Sequence, residues 1–389
     1  MDKPQAVPPP SRILGLTLFG DPFDRRSWSG SNWSLFTTLQ RRGVLHSAHS
    51  VDMTFPQKVT CALRNFAFDR RQIYLDLMKS KHSFAARSHN AERVLDSASK
   101  DVDAILQVSA LFRPRNGGGR LHCSYHDGNT AVSRRPEYAA FMSAASPKVM
   151  RESWAYEQEF YRHMDLVFTM SEWLRRSMIE DFGVPEDRVV AVGAGVNFQN
   201  EIQPAPYAGR GRHVLFVGTN FEFKGGPVLL EAFRQVRREL PDVRLSIVGC
   251  RPDLNEPGVS VIGVLDKTDP AQEEQLRRLY NEASLFVLPT FYDAFGIAYV
   301  EAMYHRVPCI GSNRCAVPEI IADGETGFLV DPTDAGDVAQ KMLTLLRDER
   351  LAAEFGERGL RRAQQSFSWQ RVVDTMLHHM RARLGSGQA

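Results

Sequence analysis

The chain has 389 residues, of which 43% are hydrophobic and 24% are charged, and its formal net charge is +2. This length exceeds the size at which a single hydrophobic core stops growing, so two domains of roughly 200 residues or fewer are expected. No apolar run approaches the ~20 residues of a membrane-spanning helix, and the five cysteines are scattered without metal-binding spacing. These features exclude an integral membrane protein, a disulfide scaffold and a zinc module, and they predict a cytoplasmic protein.

The N-terminal part of the chain is basic. Residues 1–11 are polar, rich in proline and without the apolar core of a signal peptide, which predicts a disordered leader. Residues 1–120 contain 18 Lys or Arg and 10 Asp or Glu, whereas the remaining residues contain 30 and 36. Much of the basic excess lies in residues 58–87, where cations alternate with apolar and aromatic side chains. This pattern predicts an amphipathic helix that rests on an anionic membrane surface or meets an anionic acceptor. The alternative is a helix whose apolar side faces the core and whose basic face is solvated.

Short apolar runs bounded by turn residues alternate with helical patterns along the chain. The predicted strands are RILGLTLF, AILQVSA, LHCSY, LVFTM, VVAVG, HVLFVG, VRLSIVG, SLFVLP and PCIGS. The predicted helices include SNWSLFTTLQRRG, SEWLRRSMIEDFG, GPVLLEAFRQVRREL and AGDVAQKMLTLLRD. This alternation predicts the α/β class, with two doubly wound, Rossmann-like parallel-sheet domains that face each other across a cleft.

A change in composition marks the domain boundary. Proline, glycine and polar residues cluster without periodicity in residues 199–213, where the linker is expected. We predict an N-terminal domain over residues 12–200 and a C-terminal domain over residues 205–365, with residues 366–389 forming a helix that packs back on the first domain. Ligands of such sheets bind beyond the carboxyl ends of the strands, so the loops that follow the strands are the places to seek a site.

Two of these loops are suited to an anion. After HVLFVG, Lys224 precedes two glycines that open a helix, so an ammonium group meets unpaired backbone N–H groups. After SLFVLP, Gly296 opens a second helix, and Asp293 and Glu301 lie eight positions apart, which is little more than two helical turns and predicts that both face one site. The alternatives are a surface lysine at a tight turn and two solvated acids. No P-loop or GxGxxG spacing follows a strand, which disfavours an ATPase or a dehydrogenase.

Several segments together resemble one protein family. They are FVGTNFEFKGG, LSIVGC, VIGVL, VLPTFYDAFGIAYVEAM, VPCIGSNRCAVPEIIADGETGFLVDPTD and FSWQRVV, with GDPFDRRSWSGSNWSLFTTLQRRG and LVFTMSEWLRRSMIEDFGVPEDRVVAVGAGVN in the N-terminal half. In order and spacing they resemble the family 4 glycosyltransferases, retaining enzymes of the GT-B architecture, over almost the whole chain. The resemblance implies transfer of a hexose from a nucleoside diphosphate sugar to an acceptor hydroxyl, in the synthesis of a bacterial polysaccharide, glycolipid or related glycoconjugate.

The resemblance implies that the C-terminal domain binds the nucleotide sugar. Glu301 would accept hydrogen bonds from the ribose hydroxyls, Asp293 would hold hydroxyls of the transferred sugar during catalysis, and Lys224 would neutralise the diphosphate as it leaves. The other implied donor-binding residues are Gly218, Thr219, Val264, Leu265, Phe295, Gly296 and Ile297. Of these, Val264 and Leu265 match the segment whose backbone reads the nucleobase.

The N-terminal domain would receive the acceptor. By the same resemblance, Gly30 lies in the glycine loop that approaches the phosphates, and His126 matches a histidine near the reacting sugar, which implies a catalytic role. The alternative for His126 is a satisfied histidine near a strand end.

Two positions depart from the family pattern. An arginine commonly shares the diphosphate charge with the lysine, but Thr219 follows Gly218 and Phe223 precedes Lys224. The candidates to replace that arginine are Arg25, Arg26 and Arg314. The other departure is Asp293, which stands in place of a glutamate and shortens the reach to the sugar by one methylene.

No metal cofactor is expected, because the only DxD sequence, Asp101-Val102-Asp103, leads into a strand at its amino end, away from the ligand-binding edge. The expected partners are a nucleotide sugar, a carbohydrate or lipid-linked acceptor and, for the basic front, the anionic inner face of a membrane; nucleic acid is not expected. The alternative functions are a nucleotide-sugar epimerase or phosphorylase of the same architecture, or a non-catalytic partner of another glycosyltransferase.

Overall fold

The computed structural model describes residues 12–64, 70–98, 101–115, 118–139, 145–199, 202–207 and 209–386. The predicted leader, residues 1–11, lies outside this range. The chain divides into two compact units, which are Met1–Gly193 with Trp369–Ala389, called unit 1, and Ala194–Ser368, called unit 2.

Each unit is built on one parallel sheet. The strands are β1 Ile13–Thr17, β2 Leu45–Ser50, β3 Ala104–Val108, β4 Leu121–His126, β5 Leu166–Thr169, β6 Val189–Ala191, β7 His213–Val217, β8 Arg244–Val248, β9 Val259–Gly263, β10 Leu285–Leu288, β11 Cys309–Ser312 and β12 Gly327–Val330. The order is β2-β1-β3-β4-β5-β6 in unit 1 and β12-β11-β10-β7-β8-β9 in unit 2. Both orders are doubly wound, which confirms the predicted α/β class.

Helices connect the strands. They are α1 Ser31–Arg41, α2 Phe55–Arg64, α3 Arg70–Lys79, α4 Lys81–Ser97, α5 Thr130–Ser133, α6 Pro136–Ala139, α7 Pro147–Arg162, α8 Glu172–Glu180, α9 Gly226–Glu239, α10 Pro270–Glu282, α11 Ile297–Tyr304, α12 Val317–Ile320, α13 Ala335–Arg347, α14 Glu349–Ser366 and α15 Trp369–Ser386, with short 3₁₀ helices at Ser27–Gly30 and Glu186–Arg188. Side-chain caps begin several of them; for example, the hydroxyl of Ser171 accepts from the Leu174 N–H, and Asp269 accepts from two N–H groups of α10. The last helix, α15, contacts α1 and β4 within unit 1.

The sequence analysis predicted the central strands correctly but missed three of the edge strands. All nine predicted strands are present, and β1, β3 and β10 are buried along their whole length, as expected for strands covered on both faces. The three strands that were not predicted, β2, β9 and β12, are all edges of their sheets. The edge strand β2 is partly exposed, and its sequence LHSAHS carries polar residues and lacks a continuous apolar run.

The basic segment differs from the prediction. Residues 58–87 do not form one amphipathic helix but contribute to α2, α3 and α4, and residues 65–69 lie outside the described part of the chain. The alternative of apolar side chains packed into the core is confirmed on α3, where Leu75 and Met78 pack against buried core clusters. It fails on α2, where Leu63 is 74% exposed. Within the described residues, no helix combines the length and the apolar character needed to cross a membrane.

Candidate functional site

The loops after β7 and β10 meet at the carboxyl edge of the sheet in unit 2. These two strands are neighbours, and the chain moves away from them in opposite directions, to β8 on one side and to β11 on the other. Doubly wound sheets bind their ligands at such a switch point. The backbone N–H of Phe291 donates to the carbonyl of Phe223 at 3.2 Å, which fastens one loop to the other.

A glycine allows this close approach. Gly225 has a φ of 77° and is the N-cap of α9. A Cβ atom at this position would lie 1.9 Å from the carbonyl oxygen of Pro289. Only glycine combines the left-handed backbone with the missing side chain, so it brings the start of α9 against the loop after β10. The unpaired N–H groups expected from the sequence are mostly absent, because the Gly226 N–H donates to the Phe221 carbonyl at 2.8 Å and Pro227 has no N–H. The positive end of the α9 dipole is nevertheless held at the switch point.

Lys224 and Asp293 form an ion pair there. The Nζ atom of Lys224 lies 2.6 Å from Oδ2 of Asp293 and 3.3 Å from the carbonyl oxygen of Tyr292. Both side chains are mostly but not fully buried, with 17% and 18% of their side-chain surface exposed. The ammonium group is thus fixed by protein oxygens at an edge where it can still meet a ligand.

The second helix start belongs to α11. Gly296 is its N-cap with a φ of 100°, Phe295 before it is 3% exposed, and Ile297 is its first residue. Asp293 lies outside the helix, so the predicted two-turn spacing of Asp293 and Glu301 on one helical face is wrong. Tertiary contacts give the two carboxylates different partners: Asp293 is held by Lys224, and Glu301 by other residues.

Glu301 lies on α11 and is 2% exposed. One carboxylate oxygen, Oε1, accepts a hydrogen bond from Nζ of Lys267, and the other, Oε2, accepts from the hydroxyl of Tyr280 at 3.1 Å. Burial and then the Glu301 carboxylate raise the pKa of Tyr280 well above its ordinary value, so the hydroxyl keeps its proton and donates it. The carboxylate is therefore buried, paired and oriented.

The remaining predicted residues of unit 2 lie at the same edge. Val264 is 60% exposed directly after β9, and Leu265 beside it is half-buried. Gly218 follows β7 and is half-buried, and Thr219 is exposed. Gly249, at the end of β8, has a φ of 92°, and a Cβ atom there would lie 2.7 Å from the carbonyl oxygen of Gly218, so these two loops also require a small residue at their contact.

The sequence analysis missed three residues near this edge. Lys267 and Tyr280 hold Glu301, although they lie 34 and 21 positions away in the chain. Arg251 follows β8, and its Nε atom would lie 2.8 Å from a Cβ atom at Gly263, beside the segment that contains Val264. Arg251 was detectable because it follows the predicted strand VRLSIVG at the carboxyl end, whereas the two partners of Glu301 carry no local signal.

In unit 1, Gly30 lies in a tightly held loop after β1. Gly30 has a φ of 90° as the N-cap of α1, and Trp28 and Ser29 before it have φ values of 49° and 55°. Left-handed backbone in two consecutive non-glycine residues is strained, typically by about 1–3 kcal/mol each, and strain of this kind clusters at functional sites. The indole N–H of Trp28 donates to Asp127, just after β4, at 3.0 Å. The glycine loop is thus fixed over the carboxyl end of its own sheet.

His126 ends β4 and is 3% exposed. Its ring makes edge contacts with Phe160 and Tyr161, at centroid distances of 5.9 and 5.4 Å. Burial lowers the pKa of His126 to about 3, so the ring is neutral at physiological pH. Its Nε2 atom is buried and has no hydrogen-bond partner among the described residues, so His126 is not a fully satisfied histidine, and the catalytic role stays a prediction.

The three arginines considered as substitutes all have local partners. Arg25 lies over the ring of Trp33, and Arg26 pairs with Asp24 at 3.0 Å, both in unit 1. Arg314 follows β11 in unit 2 and lies 3.8 Å from Asp331. Arg314 is therefore the one of the three on the same sheet edge as Lys224.

The DxD sequence lies where it was predicted, at the amino end of β3. Arg12 pairs with Asp101 at 3.0 Å, and its backbone N–H donates to Asp103, so both acids fasten the start of the sheet. Among the described residues, no group of three or more His, Cys, Asp or Glu side chains is placed to hold a metal ion. The expectation of a metal-independent reaction stays a prediction.

Comparison with known sequences agrees with this geometry. Residues 211–348 match the family described as "Glycosyl transferases group 1". The MMP alpha-(1->4)-mannosyltransferase of Mycolicibacterium hassiacum is 30% identical over 299 residues, which cover 74% of this chain and 72% of that protein. The O-antigen chain mannosyltransferase B of Escherichia coli is 28% identical over 55% of this chain and 60% of its own length.

Solved structures share the fold. Sucrose-phosphate synthase from Thermosynechococcus elongatus superposes with a TM-score of 0.71 over 97% of this chain and 100% of that chain, at 17% identity. HepE from Anabaena, in complex with UDP-glucose, has a TM-score of 0.60 over 96% of this chain and 99% of that chain, at 13% identity. The fold and the sequence relatives together define a GT-B glycosyltransferase. The chain belongs to the group 1 glycosyltransferases, the family 4 enzymes that its motifs resemble.

Proposed function

We propose that this glycosyltransferase moves a hexose from a nucleoside diphosphate sugar to an acceptor hydroxyl with retention of anomeric configuration. One observation carries the proposal: Lys224 and the starts of α9 and α11 lie together at the switch point of unit 2. The cation, the N-terminus of α11 and the positive end of the α9 dipole would form a site for a diphosphate, and they would stabilise the negative charge that the leaving group gains as the glycosidic bond breaks.

The two carboxylates are proposed to bind hydroxyl groups. Asp293, already 2.6 Å from Lys224, would hold the transferred sugar next to the diphosphate, and Glu301 would accept from the ribose hydroxyls. Neither is proposed as a glycosidase-type nucleophile, because such a nucleophile is one of two carboxyl groups that flank the scissile bond, and here each carboxylate is bound to a lysine. The diphosphate would leave and the acceptor would attack from the same face. A metal ion is not proposed, since Lys224 supplies the positive charge.

The first experiment is a donor screen. Two of the relatives are named as mannosyltransferases, and HepE is described with UDP-glucose, so GDP-mannose and UDP-glucose should be tested before ADP sugars and UDP-N-acetylglucosamine. Slow hydrolysis of one donor, with release of the nucleoside diphosphate, would support the proposal, and proton NMR of the released sugar would report its first-formed anomer. An inverted anomer would refute retention.

The same screen tests the alternatives. A non-catalytic partner would bind none of these donors in calorimetry. An epimerase would convert UDP-N-acetylglucosamine to its epimer without any acceptor. Either result would overturn the proposed transfer.

We also propose that unit 1 contacts an anionic membrane surface through α2. Three residues spaced four apart on this helix, Phe55, Val59 and Leu63, are exposed and form what we call the apolar stripe. Tyr74 of α3 is exposed as well. Helices with one exposed apolar face lie at the boundary between lipid headgroups and acyl chains when cations flank that face.

Cations lie near the end of α2, on the side of the helix that carries Thr60 and Cys61. Arg64 ends α2, and burial followed by the charges of Arg64, Lys81 and Lys148 lowers the pKa of His82, which places these cations around one point. Glu152 offsets part of this charge through its pair with Lys81 at 3.3 Å. The excess is positive and complements an anionic lipid headgroup, the chemistry that we propose for the surface that presents the acceptor.

Sedimentation with vesicles tests this contact. Wild type should bind vesicles that contain anionic lipid and not neutral ones, and added salt should weaken the binding. Each cation near such a surface contributes about 1 kcal/mol, so Arg64→Gln with Lys148→Gln should weaken binding about tenfold or more, and Phe55→Ser with Leu63→Ser should weaken it at every salt concentration. The matched control, Arg358→Gln with Arg361→Gln on α14, should bind as wild type does. Equal sedimentation of all variants would refute the contact.

A further inference from the structure

We propose that Lys267 is a positioning residue that holds the buried Glu301 carboxylate for ribose and thereby makes the site select ribonucleotide donors over deoxyribonucleotide donors. The inference rests on the proposed function, because it assigns Glu301 to the ribose. It goes beyond that function because it assigns the orientation of Glu301 to Lys267 and the selection of ribose over deoxyribose to this pair.

Two contacts of the Lys267 side chain and the hydrogen bonds of its loop restrict the position of this residue. Its Nζ atom donates to Oε1 of Glu301 and lies 4.6 Å from the centroid of the Phe198 ring. Its loop, between β9 and α10, is tied locally, since Asp266 accepts from the Thr268 N–H at 2.8 Å and from the Thr268 hydroxyl at 2.7 Å. A lysine at the surface would sample many rotamers, but this one is confined to the carboxylate and the ring face.

The second partner of Glu301 is equally fixed. The Tyr280 ring stacks on His305 at 5.2 Å with 10° between the ring planes, and its hydroxyl reaches Oε2 of Glu301. His305 in turn contacts Asn281 through Nδ1 at 2.8 Å. The two carboxylate oxygens are therefore each held by one donor from outside the helix that carries them.

The Glu301 carboxylate keeps two hydrogen-bond acceptor positions for a ligand. A carboxylate has about four acceptor positions, and Lys267 and Tyr280 use two of them. The remaining two match a pair of adjacent hydroxyl groups, which is what a ribose presents and a 2′-deoxyribose lacks. A buried, charged carboxylate that loses its cation is energetically unfavourable. The positive charge of Lys267 therefore stabilises the Glu301 carboxylate as a strong hydrogen-bond acceptor. Loss of Lys267 should therefore remove the preference for ribose, and not merely the general affinity for nucleotides.

Calorimetry with matched nucleotides tests the inference. The probes are UDP, GDP and ADP with their 2′-deoxy counterparts. Wild type should prefer the ribonucleotide by about tenfold or more, the range expected for a hydrogen bond to a charged group. Lys267→Met should reduce that preference to less than about threefold, Lys267→Arg should restore most of it, and the control Lys341→Met on α13 should leave it unchanged.

A double-variant cycle separates positioning from direct contact. If Lys267 acts through Glu301, then adding Lys267→Met to Glu301→Gln should change neither the affinity nor the preference by more than about twofold. A further tenfold loss in that background would mean that Lys267 binds the nucleotide itself, and it would overturn the inference. This pair removes both charges together, so it decides the question even where Lys267→Met alone does not fold.

The two proposals fail in different ways. If wild type binds none of UDP, GDP and ADP, the proposed function is refuted, and the inference with it. If wild type prefers the ribonucleotide and Lys267→Met keeps the full preference, the inference alone is refuted and the proposed function stands.

Discussion

The carboxyl edges of the two sheets hold their candidate residues in different ways. In unit 2, the edge carries two lysine–carboxylate pairs, Lys224 with Asp293 and Lys267 with Glu301, beside the starts of α9 and α11. In unit 1, the corresponding edge carries the strained loop before Gly30, fastened by hydrogen bonds, and a histidine packed among aromatic rings.

This difference indicates that the sheet edge of unit 2, and not that of unit 1, is suited to a charged ligand. A lysine paired with a carboxylate keeps N–H donors for a diphosphate, and the carboxylate keeps acceptor positions for hydroxyl groups, so a ligand can bind without breaking either ion pair. The neutral imidazole of unit 1, enclosed by aromatic rings, has no charged partner of this kind. Unit 2 is therefore expected to respond strongly to single changes of charge, and the histidine of unit 1 weakly.

Replacement of Lys224 should have the largest effect on transfer. Lys224→Met removes the cation at the diphosphate position, and loss of one preorganised group that stabilises developing negative charge typically lowers kcat by roughly 10²–10³. Steady-state transfer with the donor found in the screen measures this. The control Lys341→Met, in the same unit, should keep wild-type turnover. A loss of less than about tenfold in Lys224→Met would contradict the assignment of the diphosphate position.

Replacement of Glu301 should act on binding. Glu301→Ala removes an acceptor that is buried and ionically paired, so affinity for the nucleoside diphosphate should fall by about 1.5–3 kcal/mol, the range for hydrogen bonds to a charged group. Calorimetry with UDP or GDP gives the affinity, and thermal unfolding of the same sample reports whether the variant remains folded. Unchanged affinity in a folded variant would refute the assignment of Glu301.

Replacement of Gly225 tests the contact between the loops. Gly225→Ala places a methyl group against the Pro289 carbonyl, at 1.9 Å if nothing moves, so the start of α9 must shift. Gly211 is a matched control, because it also has a positive φ but a methyl group there would have no neighbouring atom within 4 Å. Both variants should lose about 1–2 kcal/mol from backbone strain, and only Gly225→Ala should also lose nucleotide affinity. Equal affinities for the two variants would show that this contact does not shape the site.

Replacement of His126 should have the smallest effect on turnover. In His126→Phe a ring of similar shape fills the space beside Phe160 and Tyr161, so turnover near pH 7.5 should stay within about threefold of wild type. A hundredfold loss in a folded variant would instead support the catalytic role that the family resemblance implies.

The same variant makes a prediction about acid stability. The pKa of His126 is about 3 in the folded chain and has an ordinary value of 6.5. Between these pH values, the unfolded chain binds a proton at His126 and the folded chain does not. The contribution of His126 to stability is therefore complete above pH 6.5 and is lost as the pH falls from 6.5 towards 3, by up to about 1.4 kcal/mol per pH unit. Urea unfolding across this range should show a shallower decline for His126→Phe than for wild type.

The sequence by itself determined the class of fold and the positions of the two helix starts. Continuous apolar runs such as AILQVSA predict strands buried on both faces, and glycines such as Gly296 after a strand predict helix N-termini, because both signals are local. The edge strand β2 was not predictable, since a half-exposed strand of this kind keeps polar residues.

Only the tertiary structure decided how the charged residues are paired. Spacing along the chain predicted that Asp293 and Glu301 share one helical face, but Asp293 precedes the helix and binds Lys224, 69 positions away, while Glu301 binds Lys267 and Tyr280. Partners of this kind are brought together by the order of strands in the sheet, and periodicity within one segment does not encode that order. For the same reason the sequence located His126 at the end of a strand, and only the packing of α7 against it showed that the ring is enclosed by Phe160 and Tyr161.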